Sequence, residues 1–140
     1  HLEGRTVAVF ADGLVQSQKT VVGGVIGLDA IAAQVLVGLP RLPQVQTLPA
    51  AFSIDAYGSG RPKSVSRVWV RVQASGPFRI GPSLADMEPA SEIPAGAPYS
   101  GLVMVRVPNE WTWDGQLFLE VADPVPVTIV SITAEMAVGG

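Results

Sequence analysis

Few residues in this chain are equipped for chemistry. Its 140 residues include no cysteine and one histidine, at position 1. Thiolates and imidazoles are the usual nucleophiles, general bases and transition-metal ligands. A Ser-His-Asp arrangement would have to recruit His1, a terminal residue prone to fray. Asp86, Glu88 and Glu92 form the one acidic cluster. Glycoside hydrolysis needs two carboxylates at a fixed separation on a rigid scaffold, and calcium needs several oxygens around a tight loop. These three lie in a Pro/Ala-rich stretch with no glycine-centred calcium pattern, so they read as a solvated loop. No Gly-x-x-x-x-Gly-Lys-Ser/Thr or Gly-x-Gly-x-x-Gly motif is present to cradle a phosphate. The chain is therefore expected to be no enzyme and to use no cofactor or metal.

The remaining candidates are aromatic and basic. Trp111 and Trp113 form a Trp-x-Trp pair, which in an extended backbone places both rings on one face. With Tyr99 they suit a stacking shelf for a sugar or base, a cap on the open end of a β-sandwich, or an anchor in a subunit interface. Arg67, Trp69 and Arg71 alternate along one strand face. That pattern fits a basic-aromatic nucleic-acid surface, or a solvated or interface face with guanidinium stacked on indole.

The elements that position these residues read as strands. Valines recur every second residue, and 15 glycines and 12 prolines interrupt the apolar runs. Short apolar runs between such breaks predict an all-β fold, an antiparallel sandwich or barrel-like domain with two long loops. Strands are expected near residues 6–11, 19–22, 25–28, 33–37, 65–74, 78–80, 102–107, 116–121 and 128–138. Three have clear phase: Val68, Val70 and Val72; Val103, Val105 and Val107; and Val130, Ile132, Ala134, Met136 and Val138 are each expected on one core-facing side. Only Leu28–Val37 has helical character, and its valines and flanking glycines pull it back toward strand. Asp12-Gly13 and Gly23-Gly24 suit tight hairpin turns, and Asp114-Gly115 parts the tryptophan segment from the next strand. Leu39–Ser64, with a short strand at Gln44–Leu48, and Pro82–Pro98 are expected as long loops, which in a compact domain bind something or move.

Composition bounds the function. Charged residues are 15% and hydrophobic residues 48%. The roughly 25% charge of a typical soluble domain is not reached, so either the core is large or, the favoured reading, part of the surface is apolar because it meets another chain. A net charge of −3 gives no electrostatic footprint for nucleic acid or for an anionic membrane. No apolar run reaches the length of a membrane span, and His1–Arg5 lack the regions of a signal peptide. One domain over residues 1–140 is expected.

Three sets of motifs, taken in order, resemble the tail-nozzle or tail-stabilisation proteins of short-tailed double-stranded DNA bacteriophages. The first is Leu2-Glu3-Gly4 through Val9, Asp12-Gly13, Gly24–Leu28 and Val35-Leu36-Val37-Gly38-Leu39-Pro40. The second is Ser66–Val72 followed by Ser75-Gly76-Pro77-Phe78 and Ile80-Gly81; the third is Gly101–Val107, Trp111, Asp114-Gly115-Gln116 and Asp123–Thr128 running to Ile132 and Glu135. Arg41 departs from the pattern, since the family commonly has an aromatic after Gly-Leu-Pro. The resemblance implies a domain cut from a larger structural protein of the virion, produced in the bacterial cytoplasm. It implies a ring of copies of the same protein, in contact with neighbouring tail proteins, around the conduit for DNA ejection. An acidic wall suits such a conduit because it repels phosphate. Interface energy is then expected on Trp69, Trp111, Trp113 and the long loops. A β-sandwich module recognising carbohydrate or a surface receptor through the tryptophan pair and the Pro82–Pro98 loop is the alternative.

Overall fold

The computed structural model describes residues 1–51 and 60–139. Among them there are eleven strands and no helix, and every strand pairing is antiparallel. The strands are β1 (Thr6–Ala11), β2 (Leu14–Thr20), β3 (Val35–Gly38), β4 (Gln44–Gln46), β5 (Lys63–Ser75), β6 (Arg79–Gly81), β7 (Glu88–Pro89), β8 (Tyr99–Arg106), β9 (Trp111–Thr112), β10 (Phe118–Glu120) and β11 (Ile129–Val138). They form three sheets, β2-β1-β3, β4-β10-β6-β7 and β11-β5-β8, with β9 pairing the start of β5.

The valine alternation explains the main core. Val68, Val70 and Val72 of β5 and Val103 and Val105 of β8 are buried in one cluster with Ile80 of β6 and Leu119 of β10. Two sheets thus share one apolar interior, a sandwich, and full burial of each valine contributes roughly 1.5–3 kcal/mol. The alternating partners Arg67, Arg71, Leu102 and Arg106 are exposed.

β11 departs from the expected phase at its start. Ile129 lies opposite Val72 and Ser131 opposite Arg71, so Val130 is an unpaired bulge residue. The extra residue turns Ile129 onto the core and leaves Val130 57% exposed, reversing the orientation expected for both. Beyond the bulge, Ile132, Ala134 and Met136 pack on the core as alternation requires. A second bulge, at Ser66, shifts β5 by one residue, so that Lys63 and Val65 point inward along with Val68.

The N-terminal sheet is built around β1. Asp12 and Gly13 both take positive φ, 48° and 84°, the geometry of a type I′ turn, so β2 starts at Leu14. A strand expected at 19–22 is therefore found five residues earlier. Its polar run Gln16–Thr20 hid it, because β2 is an edge strand with no buried face to impose alternation. The strand expected at 25–28 is absent: Val22 and Val25 bridge across Gly23-Gly24, and the chain then continues without pairing. Ile26 instead packs with Leu2 on a small cluster of Val7, Val9 and Val21.

Pro82–Pro98 is no free loop. It pairs with β6 through β7 and buries Met87, Ala90 and Ile93, the last two in the main cluster. The second expected loop, Leu39–Ser64, contributes β4 at Gln44–Gln46, and its residues 52–59 lie outside the described residues.

Candidate interaction surface

The sites expected from sequence fall in three places along β5. Arg67, Trp69 and Arg71 lie on its outward face, flanked by β11 and β8. Glu135 and Arg106 stand opposite Arg67, Thr133 and Met104 opposite Trp69, and Ser131 and Leu102 opposite Arg71. Trp69 is half-buried between its neighbours. Arg67 and Arg106, directly opposed like charges, would repel across the ladder. Glu135 meets Arg67 at 3.4 Å, and Glu88 and Glu92 line a cleft with Arg106 on the other side. Across Arg67 the row therefore runs acid, base, base, acid, while Arg71 stands between Ser131 and Leu102. An isolated basic stripe, the footprint of a polyanion site, is not what the sheet presents.

Trp111 and Trp113 sit at the first residues of β5, where Ser64 pairs Trp111 and Lys63 pairs Thr112. A buried cation holds this segment. Lys63 is fully buried, and its ammonium donates to the Trp113 carbonyl at 2.8 Å and to the Arg61 carbonyl at 3.2 Å. The Ser64 hydroxyl bonds Asn109 Oδ1 beside it, and Thr112 Oγ1 accepts from the Gly115 N–H at 2.9 Å. The indoles themselves stay 54% and 66% exposed. They are neither core nor a sealed cap.

Tyr99 belongs to the opposite end of the strand, where it pairs Ser75. Its ring lies over Gly101, where a Cβ would come within 2.6 Å of the Tyr99 hydroxyl. It packs against the main core cluster. With strands rising about 3.3 Å per residue, Tyr99 and the tryptophan pair are roughly 30 Å apart. The expected shelf of three aromatics is thus not assembled: Tyr99 lies apart, and Trp111 is in β9 while Trp113 follows in the bend beyond it.

The acidic loop residues have structural partners. Asp86 accepts from the Ser83 hydroxyl at 3.0 Å, and Glu92 accepts from the Met104 N–H at 3.4 Å on the edge of β8. No group of three or more metal-ligating side chains occurs among the described residues. Three other carboxylates are held below their ordinary range, all by donors within the N-terminal sheet and its loops. Glu3 accepts from the Gly23 and Gly24 N–H groups, and Asp12 from the Ala33 and Gln34 N–H groups. Asp29, bonded by the Lys19 ammonium and by the Ser17 hydroxyl and N–H, is lowered to about 2.

The feature that residue-by-residue reading missed is an apolar surface. Eighteen large hydrophobic side chains are exposed among the described residues, and thirteen of them lie between Leu14 and Leu48. Two clefts, of 330 and 240 Å³, separate this region from the Val121–Pro126 segment; Ala8 lines the first, Phe10 the second and Val125 both. The signal for it was present in the glycine-broken, almost uncharged stretch from Val21 to Pro40. No protein-family model and no curated protein matches the chain.

Proposed function

We propose that the chain is a structural domain of a bacteriophage tail, a nozzle- or tube-type virion protein that works through contacts between copies of itself around the DNA ejection conduit. The observation that carries this reading is the concentration of exposed apolar side chains in residues 14–48. A lone soluble domain seldom leaves so large an apolar surface uncovered, whereas a subunit interface needs it. The ordered motifs described above supply the kind of assembly. The arginine row, with acids beside Arg67 and Arg106, supports packing rather than a grip on nucleic acid, and the reading includes no catalysis, no cofactor and no membrane insertion.

An antibody raised against the domain tests it directly. Electron microscopy of gold-labelled virions should place the label on the tail; label on heads only, or on no particle at all, would sink the reading. A second reading rests on the exposure of Trp111 and Trp113, a carbohydrate- or receptor-binding shelf. Saturable quenching of tryptophan fluorescence by a sugar would favour it, and flat curves across a broad panel would count against it.

A further inference from the structure

We infer that the free edge of β11 is a contact through which two copies of this chain pair, strand to strand, into one continuous sheet ordered β8-β5-β11-β11-β5-β8. The contact lies apart from the surface invoked above. It draws on no residue of 14–48, and an isologous pair uses one patch twice. Three strands of seven or more residues end a sheet: β2, β8 and β11. Two of these edges are blocked. Ser17 of β2 gives its N–H to the Asp29 carboxylate, and Met104 of β8 gives its N–H to Glu92. Among the described residues, β11, the longest of the three at ten residues, has no such group on its outer edge. An open edge of that length is a template for another strand.

The ladder fixes which groups that edge offers. Gly139 donates its N–H to the Pro62 carbonyl, so the odd-numbered residues of β11 turn their backbone groups toward β5. Thr133 agrees, because it faces Trp69, whose other partner Met104 turns its N–H away from β5. Bonded and unbonded pairs alternate along an antiparallel ladder, which leaves the N–H and C=O of Ile132, Ala134 and Met136 pointing off the sheet. The side chains of the same three residues pack on the core yet are only partly buried, an apolar row that the second copy's row would cover.

Charge selects the second copy and its register. Arg71 is exposed and in no ion pair among the described residues, and the small Ser131 stands beside it on β11. With a two-fold axis at Thr133, Ile132 of each copy pairs Ala134 of the other, and Glu135 of each falls opposite Ser131 of the other. Arg71 of that second copy lies one strand further on, about 10 Å across the sheet, so the two long side chains meet over the serine. Glu135 then bridges Arg67 of its own chain, at 3.4 Å, and Arg71 of the other. An axis at Glu135 would instead set two carboxylates face to face. Exposed pairs of this kind fix register more than they add strength.

Because the chain has no cysteine, engineered thiols report the contact cleanly. At the axis the two copies of Thr133 form an unbonded pair with Cα atoms about 4.5 Å apart, within a disulfide's span. Thr133→Cys should therefore oxidise to a covalent dimer several-fold faster than Ser131→Cys or Glu135→Cys alone, whose mates would lie roughly 14 Å along the strand. Those two variants, mixed, should give the mixed disulfide. Equal rates for all three single variants, or no crosslinking by any, would overturn the inference. In sedimentation, Ala134→Pro, which removes an N–H that bonds nothing within the chain, should weaken pairing roughly ten- to a hundredfold with circular dichroism unchanged. Pairing by Ala134→Pro as tight as the parent's would overturn it equally. Neither failure touches the tail reading, which rests on residues 14–48 and is decided by the labelled virions.

Discussion

At the scale of single residues, Lys63 and Val130 show burial overruling residue type. Lysine is rarely fully buried, yet here its stem fills the interior and its ammonium donates to two backbone carbonyls. Lys63→Ala should cost about 2–4 kcal/mol by urea denaturation, from the cavity and the orphaned carbonyls together. It should also shift the emission of Trp111 and Trp113, whose segment the lysine ties to β5. Val130 behaves in the opposite way. Val130→Ser, at the exposed bulge, is expected to stay within about 0.5 kcal/mol of the parent. Val68→Ala, in the sealed core, should lose roughly 1–3 kcal/mol. The burial of Lys63 and the exposure of Val130 were not legible in the sequence. A bulge inserts one residue without altering the local alternation, so Val130 and Ile129 exchange faces only once the partner strand is known.

At the scale of elements, the N-terminal sheet and the sandwich are held by different forces, and pH separates them. The carboxylates of Glu3, Asp12 and Asp29 close the turns and loops around β1–β3, each held below its ordinary value. A group whose folded value is depressed stabilises the fold above its ordinary value and ceases to do so as pH falls through the folded one. The contribution is therefore complete above about pH 5 and disappears between the ordinary values of 4.5 and 3.8 and the Asp29 value of about 2. Hydrogen exchange across that window should show β1–β3 and the 29–34 loop losing protection before β5, β8 and β11; simultaneous loss would contradict the division. The Pro82–Pro98 arm makes a second case. Ile93→Ala should destabilise the sandwich by about 2–4 kcal/mol, because the arm is core and not a tether. Its prolines and acids suggested a loop, and the apolar residues between them were too few and irregular to signal burial.

At the scale of the molecule, the distribution of apolar surface sets behaviour. An interface made of uncharged side chains should be insensitive to sodium chloride and strengthened by sulfate, which favours apolar burial. Sedimentation of the parent chain at matched ionic strengths would check this; association that weakens steeply with salt would point to the arginine row instead. The arginine row is the less suitable candidate because Glu135 pairs Arg67 and Glu88 and Glu92 share a cleft with Arg106, which leaves Arg71 without an acidic neighbour but makes no continuous basic stripe. That partial neutralisation could not be read from Arg67, Trp69 and Arg71 alone, since the answering acids come from two other elements.

Alternation of valines was enough to make this an all-β chain, because a period of two leaves a half-buried strand few other ways to hide its apolar side; the choice of a sandwich over a barrel came with the fold. The turn at Asp12-Gly13 was equally local, a matter of two residues able to take positive φ. Bulges, edge positions and the gathering of side chains from distant strands belonged to the fold. It parted Tyr99 from Trp111 by the length of β5, buried Lys63, and left Ile31 standing in water. Those outcomes depend on which strands become neighbours, and pairing across dozens of residues is decided by packing of the whole chain.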